Sequence, residues 1–310
     1  MASYKSIKEK DLVQMLGCCS SAGIGELARK KLLSFDTRYR YPSAEEYIQY
    51  IGEFFRFVLH RQKRALRENK EKWQKGWQEN YEIIRRNGIN ENTCRPRYFR
   101  KSPFLRFKGG LIVTPNLMLE HDLFEVVRRY LFQRYLAAFD VVHEFGCGSG
   151  SNLLLLSRIF PDKEIIGYDW VIPSVKIANE IGRQTGGKVK GYRFNMLKPD
   201  FSLRLQKKSA VITIHAMEQL GDKHGPMLNA LLKMRPSLVM HYEPIAELYD
   251  EKNTFDAMAI WYTLERGYLN GYLNSLKEME KKGKIKILCC RRPFIGGVYH
   301  ESSLVIWRPA

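Results

Sequence analysis

Through the last two-thirds of the chain, apolar runs of strand length alternate with stretches of helical spacing. Val141-Val142-His143-Glu144-Phe145 is the first such run, and Lys163-Glu-Ile-Ile-Gly-Tyr168 and Lys188-Val-Lys-Gly-Tyr-Arg-Phe194 follow it. Ser209-Ala-Val-Ile-Thr-Ile214 and Pro236-Ser-Leu-Val-Met-His-Tyr242 have the continuous apolar character of buried strands. Helical patterns separate them at 152–160, 173–184 and 223–234, and one long helix is expected from about Thr254 to Lys282. Such alternation predicts an α/β chain with a doubly wound parallel sheet that binds ligands at the carboxyl ends of its strands. The last two runs, Lys284–Cys290 and Ser303–Trp307, are joined by a loop holding Pro293 and Gly296-Gly297. That link is too short for a crossover helix, so these two runs are expected to pair antiparallel.

The first third reads as helical. Ser43-Ala-Glu-Glu46 forms a capping box after Pro42, and Tyr47, Ile51, Phe54 and Val58 follow at helical spacing, as do Trp73, Trp77, Tyr81 and Ile84. Arg85-Arg86-Asn87-Gly88 is a stop signal, so one long helix or two joined ones fit. The intervening run Arg61–Lys72 is too polar to bury and reads as a solvated face. Residues 95–108 lack periodicity: Arg95, Arg97, Arg100, Lys101, Arg106 and Lys108 interleave with Tyr98, Phe99, Phe104 and Phe107. A loop of that kind suits phosphate neutralisation and base stacking, or a lid. Thr114-Pro115 then caps a helix to Phe139, with Leu117, Phe124, Val127, Leu131 and Tyr135 inward.

Charge sharpens this division. The chain of 310 residues carries a formal +18. Residues 1–110 hold 24 Lys/Arg against 12 Asp/Glu, and 111–310 hold 27 against 21, so +12 belongs to the first stretch. A basic helical region at 1–110, for acceptor recognition or as a lid, is expected before a ligand-binding domain at 111–310. Within it, 56–108 is the candidate surface for nucleic acid or another anionic partner. The 45% hydrophobic content supports a sizeable core. No apolar run approaches the length of a membrane span, and Met1-Ala-Ser-Tyr-Lys5 lacks the pattern of an export signal. Cysteines stand at 18/19, 94, 147 and 289/290 without a Cys-x-x-Cys pair, which points to reduced thiols in a cytoplasm.

The candidate chemistry starts where the first strand ends, in Glu144-Phe-Gly-Cys-Gly-Ser-Gly150. Alternating glycines let a bulky ligand approach the main chain, and the helix opening at Ser151-Asn152 turns free N–H groups toward the same crevice. Asp169, at the end of the second strand, is placed to accept both hydroxyls of a ribose. No lysine follows the glycines, which disfavours a nucleoside-triphosphate loop, and the spacing differs from the Gly-x-Gly-x-x-Gly of dinucleotide folds. An acid two residues before the first glycine suits a cationic cofactor without a pyrophosphate.

These residues resemble the class I S-adenosylmethionine-dependent methyltransferases, whose first motif is Glu/Asp-x-Gly-x-Gly-x-Gly and whose second strand ends in an acidic ribose ligand. The resemblance covers about 139–310. It implies a Rossmann-like sheet of seven strands with an antiparallel last strand, and S-adenosyl-L-methionine as cofactor. Glu144, Gly146, Cys147, Gly148, Gly150, Asp169 and Trp170 would hold its methionine and ribose parts, with Asn195 and Met196 beside the adenine. Cys147 is read as packed rather than reactive.

Acceptor chemistry belongs at the ends of the fourth and fifth strands, which carry His215-Ala-Met-Glu218 and His241-Tyr-Glu-Pro244. His215 and Glu218 share one face of a turn, and His241 and Glu243 one side of an extended segment. One of them acting as general base, with the others holding it, is the simpler role. The alternative is a divalent metal held by all four, lowering the pKa of an acceptor hydroxyl. That set is similar, loosely, to the one in metal-dependent small-RNA 3′-terminal 2′-O-methyltransferases, which have Glu-x-x-Glu-His followed by a further His. Here the order is His-x-x-Glu and then His and Glu. His300-Glu301 are second-tier candidates, and Tyr262, Arg266 and Tyr268 either line an acceptor pocket or tie the long helix to its neighbours. The absence of an Asn/Asp-Pro-Pro-Tyr/Phe run favours an oxygen acceptor. The leading expectation is an O-directed enzyme on a small or saccharide-type acceptor, followed by an RNA 2′-O-methyltransferase. A non-catalytic cofactor-binding scaffold is third.

Overall fold

The alternation expected from Val141 onward is present in the computed structural model, which describes residues 3–17, 23–59, 66–97, 99 and 101–310. Cys18, Cys19, residues 61–65 of the polar run, Tyr98 and Arg100 lie outside the described residues. In chain order the elements are β1 (Lys5–Ser6), α1 (Glu9–Leu16), α2 (Glu26–Leu32), β2 (Arg38–Tyr39), α3 (Ala44–Leu59), α4 (Leu66–Asn87), β3 (Phe104–Phe107), β4 (Gly110–Val113) and α5 (Leu119–Leu136). Then come β5 (Val141–Phe145), α6 (Ser151–Ile159), β6 (Glu164–Asp169), α7 (Ile172–Gln184), β7 (Val189–Arg193), β8 (Ser209–Ile214), α8 (Gly225–Met234) and β9 (Leu238–Glu243). The chain finishes with α9 (Thr254–Arg266), α10 (Tyr272–Lys281), β10 (Ile285–Arg291), β11 (Ile295–Gly296) and β12 (Ser303–Pro309).

The seven-stranded sheet has the order β10-β12-β9-β8-β5-β6-β7, with β5 to β9 mutually parallel and β12 antiparallel to both its neighbours. The last strand is therefore antiparallel, as expected, but it inserts between β9 and β10 and leaves β10 at the edge. The residue pattern accounts for this. Leu304, Val305, Ile306 and Trp307 are all buried, whereas β10 exposes Lys286 and Leu288 between the buried Ile285 and half-buried Ile287. A continuous apolar run needs neighbours on both sides; an alternating one does not.

Other details depart from expectation. The long helix of 254–282 is two helices, because Gly267 (φ 63°) and Gly271 (φ 71°) adopt the left-handed conformation and end one while starting the other. Residues 104–113 are a buried hairpin rather than a loop, paired with β11. Phe104 and Phe107 lie in the core, and Arg106 is 0% exposed. Its guanidinium contacts Glu301 (3.1 Å), Asp256 (2.6 Å) and the Phe255 carbonyl. Arg292 pairs with the same two carboxylates. Lys108 is paired with Asp11 (2.7 Å) and Arg97 with Glu79 (3.3 Å).

The capping box holds as read: Ser43 donates its N–H to Glu46 (2.8 Å) and Glu46 returns its own to the Ser43 hydroxyl (3.3 Å). Leu12, Leu16 and Leu32 share a core with Leu123, Val127 and Leu131 of α5 and with one face of the sheet. Position 110 falls where the β3–β4 turn ends. Among the described residues no helix is long and apolar enough to cross a membrane.

Candidate functional site

The crevice lies where β5 and β6 end. After Phe145 the chain turns sharply, with Gly146 at φ 79° and Gly148 at φ 49°, a region that a Cβ disfavours. Gly146 and Cys147 donate their N–H groups to the Tyr168 carbonyl (2.7 and 3.0 Å). Gly148 and Val171 donate theirs to the two oxygens of Asp169 (2.9 and 3.1 Å), which fixes that carboxylate against the loop. Burial pushes Asp169 up to about 6, against the opposing pull of these N–H groups. The Cys147 thiol is packed by Leu153 and Gly167 and pushed upward by burial, so it is inert there.

Glu144 is wholly buried, one residue before Phe145, which lines the crevice. Its Oε1 accepts the Asn152 amide (2.5 Å), and the Asn152 carbonyl accepts from Arg128, itself paired with Glu125. Among the described residues its Oε2 has no hydrogen-bond partner. Burial pushes Glu144 up to about 8, more than the Asn152 hydrogen bond and the Arg128 charge pull it down. A buried acid with one oxygen unanswered beside a crevice is suited to a cationic ligand group.

Trp170, Asn195 and Met196 line the side of the crevice, which is open to solvent. Trp73 and Trp77 of α4 roof it. Their rings stack 5.5 Å apart, and a Cβ on Gly148 would lie 2.9 Å from the Trp77 ring. Helical spacing places Trp73 and Trp77 on a helix without marking them as site residues, and Arg128 is likewise outside the expected set. The signals were present: two indoles four residues apart in an otherwise polar helix, and Glu125 and Arg128 on the inward side of α5.

The acceptor end is built from β8. His215, at φ 54°, lines the crevice with Gln219. Its Nε2 lies 3.0 Å from the Ser302 hydroxyl and its Nδ1 3.7 Å from Glu218, whose other oxygen accepts the Gln219 amide (2.8 Å). Burial disfavours the His215 imidazolium, but the contact with Glu218 and the charges of Glu218, Glu243 and Glu120 outweigh it and raise its pKa. Glu218 is lowered for the reciprocal reason, against burial. His300 stacks 6.3 Å from His215, and burial drives it down to about 4.

His241 and Glu243 do not join this pair. His241 lies within the sheet, its Nδ1 on the Thr213 hydroxyl (2.7 Å) and its ring between Tyr272 and Trp307. Both oxygens of Glu243 are taken by the N–H groups of Ala216 (3.1 Å), Met217 (3.0 Å) and Glu218 (3.2 Å), so this carboxylate caps the short 3-10 turn that carries Glu218. Among the described residues no group of three or more His, Cys, Asp or Glu is arranged to hold a metal. The four-ligand metal set read from sequence is corrected accordingly: neighbours on one strand side became, in three dimensions, a core histidine and a backbone cap. Glu301 is spent on Arg106 and Arg292. Tyr262 stacks on Tyr299, and Arg266 donates to the Tyr268 hydroxyl (3.0 Å).

No family model and no curated protein sequence matches this chain. Solved structures do. Geranyl diphosphate C-methyltransferase from Streptomyces coelicolor A3(2), with Mg2+, geranyl diphosphate and S-adenosyl-L-homocysteine, aligns at 12% identity over 76% of this chain and 98% of that one, TM-score 0.50. The O-methyltransferase NcsB1 from neocarzinostatin biosynthesis aligns at 15% identity and TM-score 0.41, over 62% of this chain and 58% of its own length. The methyltransferase domain of bacterial CtHen1-C aligns at 15% identity over 59% of this chain and 95% of that one, TM-score 0.43. The first of these likenesses establishes the fold as that of the class I S-adenosylmethionine-dependent methyltransferases.

Proposed function

We propose that this chain is an S-adenosylmethionine-dependent methyltransferase that modifies a hydroxyl of a small or saccharide-type acceptor. The observation that carries the reading is the buried Glu144, whose Oε2 has no hydrogen-bond partner among the described residues, at the foot of a glycine-rich loop whose Gly148 N–H holds Asp169. Glu144 would receive the ammonium of the cofactor's methionine, Asp169 the ribose hydroxyls, and Trp170, Asn195 and Met196 would flank the adenine. When bound, the cofactor supplies an electrophilic methyl group open to in-line attack. His215, among the described residues the one imidazole lining the crevice, would take the acceptor proton. Glu218 would hold the resulting imidazolium, which is the direction in which it already moves the pKa. The region up to residue 110 would act as the acceptor-side roof through α4.

The small acceptor is favoured by how the cations of 95–108 are used. Arg106 is buried and the Phe104 and Phe107 rings are in the core, which takes these three out of reach of a polyanion, and Lys108 and Arg97 are engaged by Asp11 and Glu79. Isothermal titration with S-adenosylhomocysteine tests the cofactor claim: one site is expected, with the same affinity in a chelator. Absence of binding overturns the reading. Transfer of labelled methyl to hydroxyl-bearing saccharides or phenols, and not to RNA, tests the acceptor.

A further inference from the structure

We infer that Trp77 is a specificity-determining residue for the charged form of the cofactor: its indole caps the sulfonium by a cation–π contact that the neutral product cannot make. The inference rests on the proposed function and deepens it. It starts from how α4 is held. Asn80 donates its amide to the Thr93 and Arg95 carbonyls (3.3 and 3.4 Å), Ile84 is 2% exposed, and the Lys176 ammonium lies 5.6 Å over the Tyr81 ring. Lys70, Glu71, Lys72, Gln74 and Lys75, one to two turns earlier, are exposed. The helix is thus bolted at its C-terminal half and projects Trp77 and Trp73 over the crevice.

The height of that roof is set by Gly148. A Cβ there would sit 2.9 Å from the Trp77 ring, so indole and loop main chain are at contact distance. The same glycine donates its N–H to Asp169, and Glu144 lies at the start of the same loop. A ligand with its ammonium toward Glu144 and its ribose at Asp169 carries its central sulfur between them, in the part of the crevice beside Gly148 that Trp77 lines. Trp73, stacked on Trp77 at an interplanar angle of 21°, limits the freedom of that ring.

A tryptophan face attracts a cation strongly, most of all where water is excluded. Loss of the methyl turns a sulfonium into a neutral thioether while the ammonium and the ribose stay the same. Trp77 therefore adds affinity to the methyl donor and none to the spent product, and it favours release after transfer.

The test is isothermal titration of three ligands: S-adenosylmethionine, sinefungin (an amine cation at the reacting position) and S-adenosylhomocysteine. In Trp77→Leu, the two cations are expected to weaken by about tenfold, the size of a partly desolvated cation–π contact, and the neutral ligand by less than twofold. Trp77→Phe, which keeps a weaker ring, is expected to fall between, and it decides the matter if the leucine variant does not fold. Equal weakening of all three ligands, or of none, overturns the inference and leaves the methyltransferase reading standing. Failure of the wild-type protein to bind any of them overturns both.

Discussion

Cofactor binding should release a proton, and Glu144 should be its source. In the free protein this carboxyl is wholly buried and titrates at about 8. At pH 7 it is about 0.9 protonated, and ionising it to meet an ammonium costs about 1.4 kcal/mol, one pKa unit. Asp169, at about 6, adds about 0.1 proton at the same pH. Titration of S-adenosylhomocysteine in two buffers of different ionisation enthalpy should therefore report about one proton released per site at pH 7. The affinity should tighten by about fiftyfold from pH 6 to pH 8 through Glu144 alone. In Glu144→Gln most of the release disappears. The affinity falls by about 1.5 to 3 kcal/mol at pH 8, the range of a charge-assisted hydrogen bond, and by less at pH 6, where the wild type pays most for ionisation. Stability moves the other way. Because the folded pKa is raised, the wild type loses stability as pH climbs from the unfolded value near 4.5 toward 8, and the glutamine variant loses less, since Asp169 and the other raised acids still contribute. A wild type that binds without proton release, or a glutamine variant that still releases a full proton, refutes the reasoning.

Asp169→Asn should weaken S-adenosylhomocysteine by about a hundredfold, since two charge-assisted bonds to ribose are lost, with circular dichroism unchanged; near-wild-type affinity would remove the ribose role. In ring-labelled NMR the His215 imidazole should titrate above the ordinary 6.5, and in Glu218→Gln its midpoint should move down. The stabilising charge on this histidine is fully present below 6.5 and is lost as pH rises through the elevated value, so a midpoint that ignores the Glu218 substitution would sever the pair. Arg106→Met should cost about 3 kcal/mol in denaturant unfolding, because Asp256 and Glu301 are left buried with Arg292 alone. A loss below about 1 kcal/mol would show the network to be dispensable.

What the residue order settled by itself is local in origin. Strand and helix positions from Val141 to Ile214 follow from period and glycine placement. Glu144, Gly146, Gly148 and Asp169 could be read as one site because a strand, a tight turn, a helix and the adjacent parallel strand bring them together within one βαβ unit. Gly267 and Gly271 were equally legible, as was the difference between the alternating β10 and the unbroken β12. Only the tertiary structure decided the rest, wherever a side chain's role depends on a partner far away in sequence. Arg106 reads as a surface cation until Asp256 and Glu301, 150 and 195 residues on, enclose it. His241 and Glu243 have the same two-residue spacing whether they meet a ligand or, as here, Thr213 and the backbone of 216–218. Trp77 becomes the roof of the crevice because the packing of α4 sets it over Gly148, 71 residues further along. Periodicity reports which side of an element is buried, but the identity of what buries it is a property of the assembled fold.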